Sequence, residues 1–422
     1  MKINQFQEII STKQGRYFLI DFLVGDIQEI EKQTIEEVKD DEMQQLEHEY
    51  IKELKKMKEE PEEDLTVVLI PTYGCNLRCE YCYEGNLTNT FDYSRLDTQK
   101  VKEVIVQIKE KFKYKSISFI LLGGEPILRK NLIWFKKFFS DFADTNIPYE
   151  VRSISNGVEV VNEINTLKEI GVTSVQITLD GMEEQQNIRR PAKNSTINVF
   201  KSIVNGIDVL LDNNISVNVR INVDEKNIPD LPIMHDFFQE KGWWDNDIFF
   251  SYIYPISFNG NDAEKKYMKE SEVFELVTKE ILAIPNCLYD LDFHGISFIN
   301  DMLNQEIFYP NLTFCEATTN QLVFDDTGKI YTCWWGTAIK DFTLGNIEEG
   351  VSKDFLKKLQ EWKDRDVLKI EECIDCKYKF VCGGGCSYKA HLQHGNFKRG
   401  KCSSFSENIK VYLEYLIDAG KL

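Results

Sequence analysis

Short apolar runs alternate with amphipathic segments along the chain from Leu65 to about Pro255. Runs of this length are typical of buried strands, and apolar positions at the helical period are typical of helices that pack on a sheet. The predicted strands are Thr66 to Ile70, Ser116 to Leu122, Tyr149 to Ser155, Ser174 to Leu179, Ser216 to Val223 and Asp247 to Tyr254. The predicted helices lie near Asp97 to Phe112, Asn131 to Phe142, Val160 to Ile170, Thr196 to Leu211 and Asp230 to Lys241. This alternation indicates an α/β fold with a parallel sheet, and six units are too few for a closed eight-strand barrel.

Candidate motifs follow the ends of four predicted strands. The first two strands lead into Cys75 to Cys82 and into Gly123 to Pro126, and the next two end at Ser153 to Gly157 and at Asp180. Parallel barrels assemble their sites from the loops at the carboxyl ends of their strands. We therefore expect these motifs to meet at one site.

The first motif contains three thiols, Cys75, Cys79 and Cys82, spaced by three and then two residues. Three thiolates hold three irons of a cubane cluster, so the fourth iron is open to a ligand from outside the chain. A zinc knuckle or merely buried thiols are the weaker alternatives, because zinc normally requires a closed set of four ligands.

The C-x3-C-x2-C motif followed by an aromatic residue resembles the signature of the radical S-adenosylmethionine (SAM) enzymes. This resemblance implies a [4Fe–4S] cluster whose open iron binds the amine and carboxylate of SAM. It also implies a 5′-deoxyadenosyl radical that abstracts a hydrogen atom from the substrate. The six units suit the partial (β/α)6 TIM-like barrel of that family.

The same resemblance assigns contacts to SAM. Gly123 to Pro126 resembles the GGEP motif, which receives the SAM amine through backbone and Glu contacts. Arg189 or Arg190 stands where the family often has Asp-x-x-Arg-Pro and is expected to pair with the methionyl carboxylate; Gln186 and Asn187 replace the His-Asp often found nearby. The expected SAM-binding residues are Tyr81, Gly123, Gly124, Glu125, Pro126, Ser153, Asn156, Asp180, Arg189, Arg190, Arg220 and Asn222.

A second group of cysteines lies beyond residue 310. Its spacing, C-x2-C-x5-C-x3-C preceded by G-x4-C and followed by a further cysteine, resembles the SPASM domain, which carries two auxiliary [4Fe–4S] clusters. The resemblance assigns the far cluster to Cys373, Cys376, Cys382 and Cys402, and the near cluster to Cys315, Cys333 and Cys386. Three ligands would leave one iron of the near cluster open to a substrate thiolate. Three clusters are thus expected in all, with a zinc ribbon as the alternative for the C-x2-C pair.

Other candidate groups fit neither pattern. Cys287 is expected to be a buried core thiol, with ligation of the near cluster or reaction with the substrate as the alternatives. The five histidines are predicted to be structural or solvated, although His294 is a candidate to reach the cavity. Trp334 and Trp335 are expected to pack around a cluster rather than contact the substrate.

The chain is predicted to contain four segments. Residues 1–64 form a small N-terminal unit, 65–300 the radical SAM partial barrel, 310–405 the SPASM domain and 406–422 a C-terminal helix. In the N-terminal unit, Arg16 to Ile27 indicates a strand and turn. The following charged helix carries an apolar stripe, made by Met43, Leu46, Tyr50, Leu54 and Met57. This helix is expected either to pack on the barrel or to dock a leader peptide.

Length, charge and cysteine content narrow the class of protein. A chain of 422 residues is too long for one ordinary core. A formal charge of −19 argues against nucleic-acid and anionic-membrane partners, whereas a basic peptide would be attracted. No apolar run is long enough to span a bilayer. Eleven cysteines without a signal-peptide pattern indicate metal binding in a reducing cytoplasm.

The resemblance leaves several substrates open. Sulfatase activators of this class typically place an Asp directly after the Gly-x4-Cys cysteine, where this chain has Trp334. The favoured function is therefore a maturase that forms a thioether in a ribosomally made precursor peptide, leader plus core, with a reductant such as flavodoxin or ferredoxin. Carbon–carbon crosslinking, epimerisation and formylglycine formation in anaerobic sulfatases are the enzymatic alternatives. An iron–sulfur electron-transfer protein is the non-enzymatic one, and it would not need the GGEP motif.

Overall fold

A computed structural model describes residues 2–32, 36, 37, 41–59, 63–85, 87, 96–256, 267–304 and 310–422. Of the expected apolar stripe, the side chains of Met43, Leu46 and Met57 lie outside the described residues. Among the described helices, none combines the length and the apolarity that crossing a membrane requires.

The N-terminal segment forms a small antiparallel sheet and a long helix. Strand β1 (Lys2–Ile3) pairs with β5 (Glu36–Glu37) in parallel. Between β1 and β5 in the chain, three strands pair in chain order: β2 (Gln7–Ser11), β3 (Tyr17–Asp21) and β4 (Asp26–Ile30). A charged helix, α1 (Asp41–Glu59), follows β5. The predicted strand and turn at Arg16 to Ile27 correspond to β3, the turn after it and the start of β4.

The helix α1 packs against the C-terminal region. Leu54 shares one buried apolar cluster with Phe6 and with Val367, Ile370 and Phe380. The described side chains of this helix thus pack on the cysteine-rich region rather than on the barrel, and docking of a leader peptide stays a prediction. The physical reason is that a loop-rich segment built around cysteines buries little apolar surface by itself, so its apolar side chains need an added cover.

The central part of the chain is a parallel array of strands with helices between them. Its strands are β6 (Asp64–Leu69), β7 (Ser116–Leu121), β8 (Tyr149–Ser155), β9 (Val172–Thr178), β10 (Ser216–Val223) and β11 (Phe249–Pro255). Its helices are α2 (Thr98–Phe112), α3 (Arg129–Ala143), α4 (Val160–Ile170), α5 (Glu183–Arg189), α6 (Val199–Asp212) and α7 (Leu231–Glu240). Each strand pairs in parallel with the next in chain order. The predicted α/β fold is confirmed.

Local sequence explains where these helices start and which face they bury. At the start of α2, the Asp97 side chain accepts hydrogen bonds from the N–H groups of Gln99 and Lys100. At the start of α6, the Asn198 side chain accepts from the N–H of Lys201. Apolar residues recur at the helical period in both helices and are buried against the sheet. In α6 they are Phe200, Ile203, Val204, Ile207, Leu210 and Leu211.

The sheet continues beyond the six predicted strands. At one edge, β12 (Asp290–Leu291) pairs with β11, after α8 (Glu270–Ile281) and before α9 (Ile296–Leu303). At the other edge, β13 (Gln321–Phe324) pairs with β6 in parallel. Two further strands, β14 (Lys329–Tyr331) and β15 (Gly345–Asn346), follow in antiparallel order. The cysteine-rich region is thus joined to the barrel through main-chain hydrogen bonds.

The remainder of the chain contains four helices, which are α10 (Lys353–Lys363), α11 (Lys379–Cys382), α12 (Ser387–His394) and α13 (Phe405–Asp418). The last one corresponds to the predicted C-terminal helix. It buries Phe405, Ile409 and Leu413 in the same core as the barrel. The helix α13 is therefore anchored to the barrel.

Candidate active site

The loop after β6 brings three thiols to the carboxyl end of the barrel. Cys75, Cys79 and Cys82 line one cavity of about 370 Å³. Burial raises the pKa of Cys75 and of Cys82 to about 12, and it raises the pKa of Cys79 as well. Each thiolate further opposes ionisation of its neighbours. A bound cationic metal group would reverse both effects, so the donor set fits an iron–sulfur cluster.

No three His, Cys, Asp or Glu side chains in the described part of the chain converge closely enough to hold a single metal ion. A cubane does not require such convergence, because each of its thiolates binds a different iron. The cysteine loop is held in place by main-chain contacts with the segment after α5. The N–H of Arg78 donates to the carbonyl of Pro191, and Leu77 and Ala192 form a bridge.

A hydrogen-bonded network lies beside Cys79. The Tyr81 hydroxyl donates to the Asp180 carboxylate. It accepts from Nη1 of Arg190 at 2.7 Å and from Nδ2 of Asn222 at 3.2 Å. The second oxygen of Asp180 accepts from the N–H of Asn222 at 2.8 Å. The ends of β9 and β10 are thereby tied to the cysteine loop, as the positions of the motifs predict.

The two adjacent arginines have different environments. Arg189 is buried and pairs with Asp224, with Nη1 and Oδ1 separated by 2.9 Å. Arg190 is also buried but lines the cavity, which Arg189 does not, and the Nε of each arginine has no hydrogen-bond partner among the described residues. Arg190 is therefore the arginine of the pair that can bind an anionic group in the cavity.

The C-terminal cysteines separate into two groups. The thiols of one group, Cys315, Cys333 and Cys386, are close enough to interact electrostatically with one another. The other comprises Cys373, Cys376, Cys382 and Cys402. Burial raises the pKa of Cys333, and it raises that of Cys373 to about 12. These are the same groups of three and four thiols that the sequence resemblance implies.

A glycine turn connects the two groups. Gly383, Gly384 and Gly385 all have positive φ values, of 67°, 81° and 73°. A Cβ on Gly385 would lie 2.0 Å from the carbonyl oxygen of Lys401, the residue before Cys402. Only glycine tolerates both the backbone conformation and this close approach.

A second cavity, of about 550 Å³, separates the barrel interior from the near group of cysteines. Cys315, Cys333 and Cys386 line one side, and residues of β7 to β11 line the other. The two cavities share wall residues, which are Ile154, Gln176, Tyr254, Trp334 and Trp335. The two cysteine sites therefore line two adjacent cavities.

Comparison with known proteins identifies the family to which this architecture corresponds. Residues 69–232 match the Radical SAM superfamily. The chain contains a radical SAM domain. It is 23% identical over 354 residues to Fe-coproporphyrin III synthase of Methanosarcina barkeri, covering 78% of this chain and 85% of that protein. It is 22% identical over 367 residues to cysteine-type anaerobic sulfatase-maturating enzyme of Clostridium novyi, covering 81% and 92%. These homologues are enzymes, and this chain is an enzyme with a radical SAM domain.

Two solved structures share the fold. Native anSMEcpe with bound AdoMet has a TM-score of 0.63 at 19% identity, covering 84% of this chain and 97% of that chain. Streptococcus suis SuiB bound to precursor peptide SuiA has a TM-score of 0.52 at 15% identity, covering 95% and 99%. The predicted partial barrel is confirmed, and the radical SAM domain requires a [4Fe–4S] cluster and SAM.

Within the radical SAM domain, the Glu125 carboxylate is occupied by protein groups. Its Oε1 accepts from Ser155 Oγ at 2.7 Å and from the N–H of Ile127 at 2.9 Å. Its Oε2 accepts from the N–H of Asn156 at 2.7 Å. The side chain is 1% exposed and does not line either cavity. Glu125 therefore positions the loops after β7 and β8, and its expected contact with the SAM amine stays a prediction.

The other expected SAM contacts can be sorted by the cavity that they line. Tyr81, Gly124, Asn156, Arg190, Arg220 and Asn222 line the cavity with the first three cysteines. Ser153 lines the second cavity. The remaining expected contacts, Gly123, Pro126, Asp180 and Arg189, line neither cavity. Asp180 and Arg189 hydrogen-bond to cavity residues.

Sequence reasoning missed one buried carboxylate in the radical SAM domain. Glu84 lines the cavity two residues after Cys82 and is 5% exposed. Its Oε2 accepts from the N–H of Gly124 at 2.9 Å, and the Tyr83 hydroxyl also interacts with the carboxylate. The geometry gives Oε1 no hydrogen bond of its own among the described residues. Burial raises the pKa of Glu84 to about 7. The signal in the sequence is an acidic residue directly behind the cysteine motif.

Two minor expectations concern Cys287 and His294. Cys287 is a partly buried core thiol that interacts with Tyr289, Tyr415 and Lys421. It belongs to neither group of C-terminal cysteines. His294 lines neither of the two cavities and packs with its ring against aromatic side chains.

The two tryptophans after Cys333 lie beside the near group of cysteines, and their expected packing around a cluster stays a prediction. Trp334 and Trp335 line both cavities, and Trp335 stacks on Tyr83 with ring centroids 5.3 Å apart. They belong to the wall that the two cavities share because the short turn after β14 directs them toward the barrel interior.

Proposed function

We propose that this radical SAM enzyme matures a precursor peptide by joining a cysteine sulfur to a carbon of the same peptide in a thioether. The observation that carries this proposal is the pair of adjacent cavities, with shared wall residues, that two cysteine sites line. One site is the cluster loop of the radical SAM domain, and the other is the near group of three thiols.

The two sites lie at opposite ends of the barrel. The cluster loop follows the carboxyl end of β6. Cys315 precedes β13, and Cys333 follows the antiparallel β14, so both lie toward the amino end of β6. The four residue steps from Thr66 to Ile70 correspond to roughly 13 Å. A few residues of an extended peptide span such a distance.

Cys75, Cys79 and Cys82 would hold the cluster that, with SAM, would supply hydrogen-atom abstraction from the peptide. Cys315, Cys333 and Cys386 would hold a cluster that would supply an acceptor for the one electron left over when the carbon radical and the thiol, minus its proton, form the carbon–sulfur bond. Arg190 and Asn222 line the cavity with the first three cysteines and are the residues that would hold SAM. Trp334 and Trp335 cover the space between the sites and exclude water from the reacting atoms.

The second cavity offers polar groups that suit a peptide main chain. Ser153 Oγ and Asn218 Oδ1 are buried and have no hydrogen-bond partner among the described residues. Both residues line the cavity. A buried polar atom without a partner is a normal determinant of ligand orientation. A hydroxyl and an amide oxygen there can bind the C=O and N–H groups of an extended peptide.

The fold supports a peptide as substrate. The structure of SuiB that shares this fold contains the precursor peptide SuiA. We extend the proposal to the leader of the precursor. In the N-terminal sheet of the described residues, β2 and β4 are the outer strands. A leader segment can pair in extended form with either of these edges.

One observation favours formylglycine formation as a second candidate. Trp334 stands where a carboxylate is expected in sulfatase activators, but Glu316 lines the second cavity beside Cys315. Glu316 supplies a carboxylate close to the near group of thiols. The relative from Clostridium novyi carries the name of a sulfatase-maturating enzyme.

Anaerobic coexpression with the short cysteine-containing reading frames beside the gene tests these candidates. A thioether product loses two hydrogens and its sulfur no longer reacts with iodoacetamide. A carbon–carbon crosslink also loses two hydrogens but keeps an alkylatable thiol. Formylglycine is captured by a hydrazide, and epimerisation incorporates deuterium from D2O. A modified peptide with a free thiol, or one that reacts with the hydrazide, would overturn the thioether proposal.

A further inference from the structure

Arg365 is a buried cation in the cysteine-rich region. Its side chain follows α10, and the residue is 3% exposed. The Nε donates to the carbonyl of Phe397 at 2.8 Å. The Nη2 donates to the carbonyls of Gly384, Gly385 and Arg399 at 3.1, 3.0 and 3.0 Å. These carbonyls fix the guanidinium at the glycine turn between the two groups of cysteines.

No carboxylate in the described part of the chain forms an ion pair with this guanidinium, and its Nη1 has no hydrogen-bond partner there. Burial accordingly lowers the pKa of Arg365. A buried charge is normally paired, because neutral carbonyls offset the loss of hydration incompletely. The missing anionic partner is therefore expected close to the side chain.

The charged neighbours of Arg365 are cysteines from both groups. Its guanidinium interacts with Cys315 and Cys386 of the near group and with Cys373 and Cys382 of the far group. A cubane bound by three or four thiolates carries net negative charge. Two such clusters on either side of one guanidinium would supply the missing counter-charge.

We propose that Arg365 is a shared counter-ion of two auxiliary clusters and that its charge raises the reduction potential of both. The proposal rests on the cluster sites assumed under the proposed function, but it does not depend on which bond the enzyme forms. On reduction each cluster gains one electron from the reductant, and no bond or proton changes. The reduced cluster is more negative by one charge, so a fixed neighbouring cation stabilises it more than the oxidised form.

The competing explanation is that Arg365 only holds the glycine turn together through its hydrogen bonds. Two variants separate the explanations. Arg365→Gln removes the charge, and Arg365→Lys keeps the charge but loses the planar fork of donors. The matched control is Arg399→Gln, which removes a cation from the same segment. The Arg399 side chain is 44% exposed and pairs with Glu372, so water screens its charge.

The experiment is an anaerobic redox titration with dithionite, followed by electron paramagnetic resonance. It uses the full chain with Cys75, Cys79 and Cys82 changed to Ala, so that signals come from the auxiliary clusters. We expect both midpoint potentials to fall in Arg365→Gln, to return toward the parent values in Arg365→Lys, and to stay unchanged in Arg399→Gln. Loss of iron in Arg365→Gln together with retention of iron in Arg365→Lys also supports the proposal, because a positive charge at this position is then required to retain the clusters.

Three outcomes would overturn the proposal. The first is unchanged potentials in Arg365→Gln with its iron retained, and the second is a shift in the potential of one cluster alone. The third is loss of iron from both Arg365 variants, which would show that Arg365 only stabilises the structure of the glycine turn. A parent protein with fewer than about eight irons, four for each cubane, would show that the cluster assignment itself fails. If the midpoint potentials shift as expected but no thioether product forms, the proposed reaction is rejected and the proposed role of Arg365 is retained.

Discussion

Glu84 and Glu125 are two buried carboxylates of the cluster region whose roles can be separated by the same substitution. Glu84 has one oxygen, Oε1, with no hydrogen bond of its own in the described structure, and it lines the cavity. Glu125 has both oxygens occupied by protein donors. We predict that Glu84→Gln weakens SAM binding with little loss of stability, whereas Glu125→Gln chiefly destabilises the fold.

The expected magnitude for Glu84 follows from one charge-assisted hydrogen bond. The Glu84→Gln side chain can still accept from the N–H of Gly124 through its amide oxygen. Its amide nitrogen replaces the other oxygen and cannot accept from the ammonium of SAM. A hydrogen bond to a charged group is worth about 1.5–3 kcal/mol. The dissociation constant of SAM should therefore rise by about one to two decades.

The expected magnitude for Glu125 follows from the donors that surround it. In Glu125→Gln, the amide nitrogen must face either the N–H of Asn156 or the pair formed by Ser155 and Ile127. At least one bond to a carboxylate is lost, and one buried donor is left without an acceptor. The combined cost is about 3–5 kcal/mol of unfolding free energy.

Two measurements on each reconstituted variant test this prediction. Anaerobic calorimetry gives the affinity for SAM, and circular dichroism gives the apparent melting temperature. We expect a large change in affinity for Glu84→Gln and a large change in melting temperature for Glu125→Gln. Unchanged SAM affinity in Glu84→Gln together with reduced affinity in a stable Glu125→Gln protein would refute the reasoning and restore Glu125 as the ligand of the SAM amine.

Three further predictions concern the cysteine sites and the arginine pair. The wild-type protein should contain about twelve irons, and changing the three cysteines of the first loop together to Ala should leave about eight and abolish 5′-deoxyadenosine formation, as iron analysis and chromatography will show. Gly385→Ala forces a Cβ to within 2.0 Å of the carbonyl of Lys401 and should lose about four irons, measured in the same way. Arg190→Lys should weaken SAM binding in calorimetry at unchanged stability, whereas Arg189→Lys, which disturbs a buried ion pair, should lower the melting temperature.

The strands and helices of the barrel could be predicted because each is a local pattern. Apolar runs and helical periodicity depend on neighbouring residues, and the predicted boundaries agree with β6 to β11 and with the matching helices to within three residues. The two C-terminal groups of cysteines were predicted for a different reason. Their spacing resembles a known domain, and the structure brings the same thiols together.

The roles of individual side chains could not be predicted from the sequence. Arg189 and Arg190 are neighbours in the chain, yet one is buried against Asp224 and the other lines the cavity. Glu125 belongs to a recognisable motif but points into the protein, whereas Glu84 belongs to no expected motif and lines the cavity. Which side a residue faces depends on the packing of distant elements, and no local pattern carries that information.

The opposed placement of the two cysteine sites follows from one strand that the sequence did not predict. β13 has four residues, too few to show a period, and it pairs with β6, which is more than two hundred residues away in the chain. Because this pairing is parallel and β14 returns antiparallel, the near group of thiols is carried to the amino end of the sheet. The cluster loop stays at the carboxyl end. A substrate that reaches both sites must therefore extend through the barrel, which favours a flexible peptide over a compact molecule.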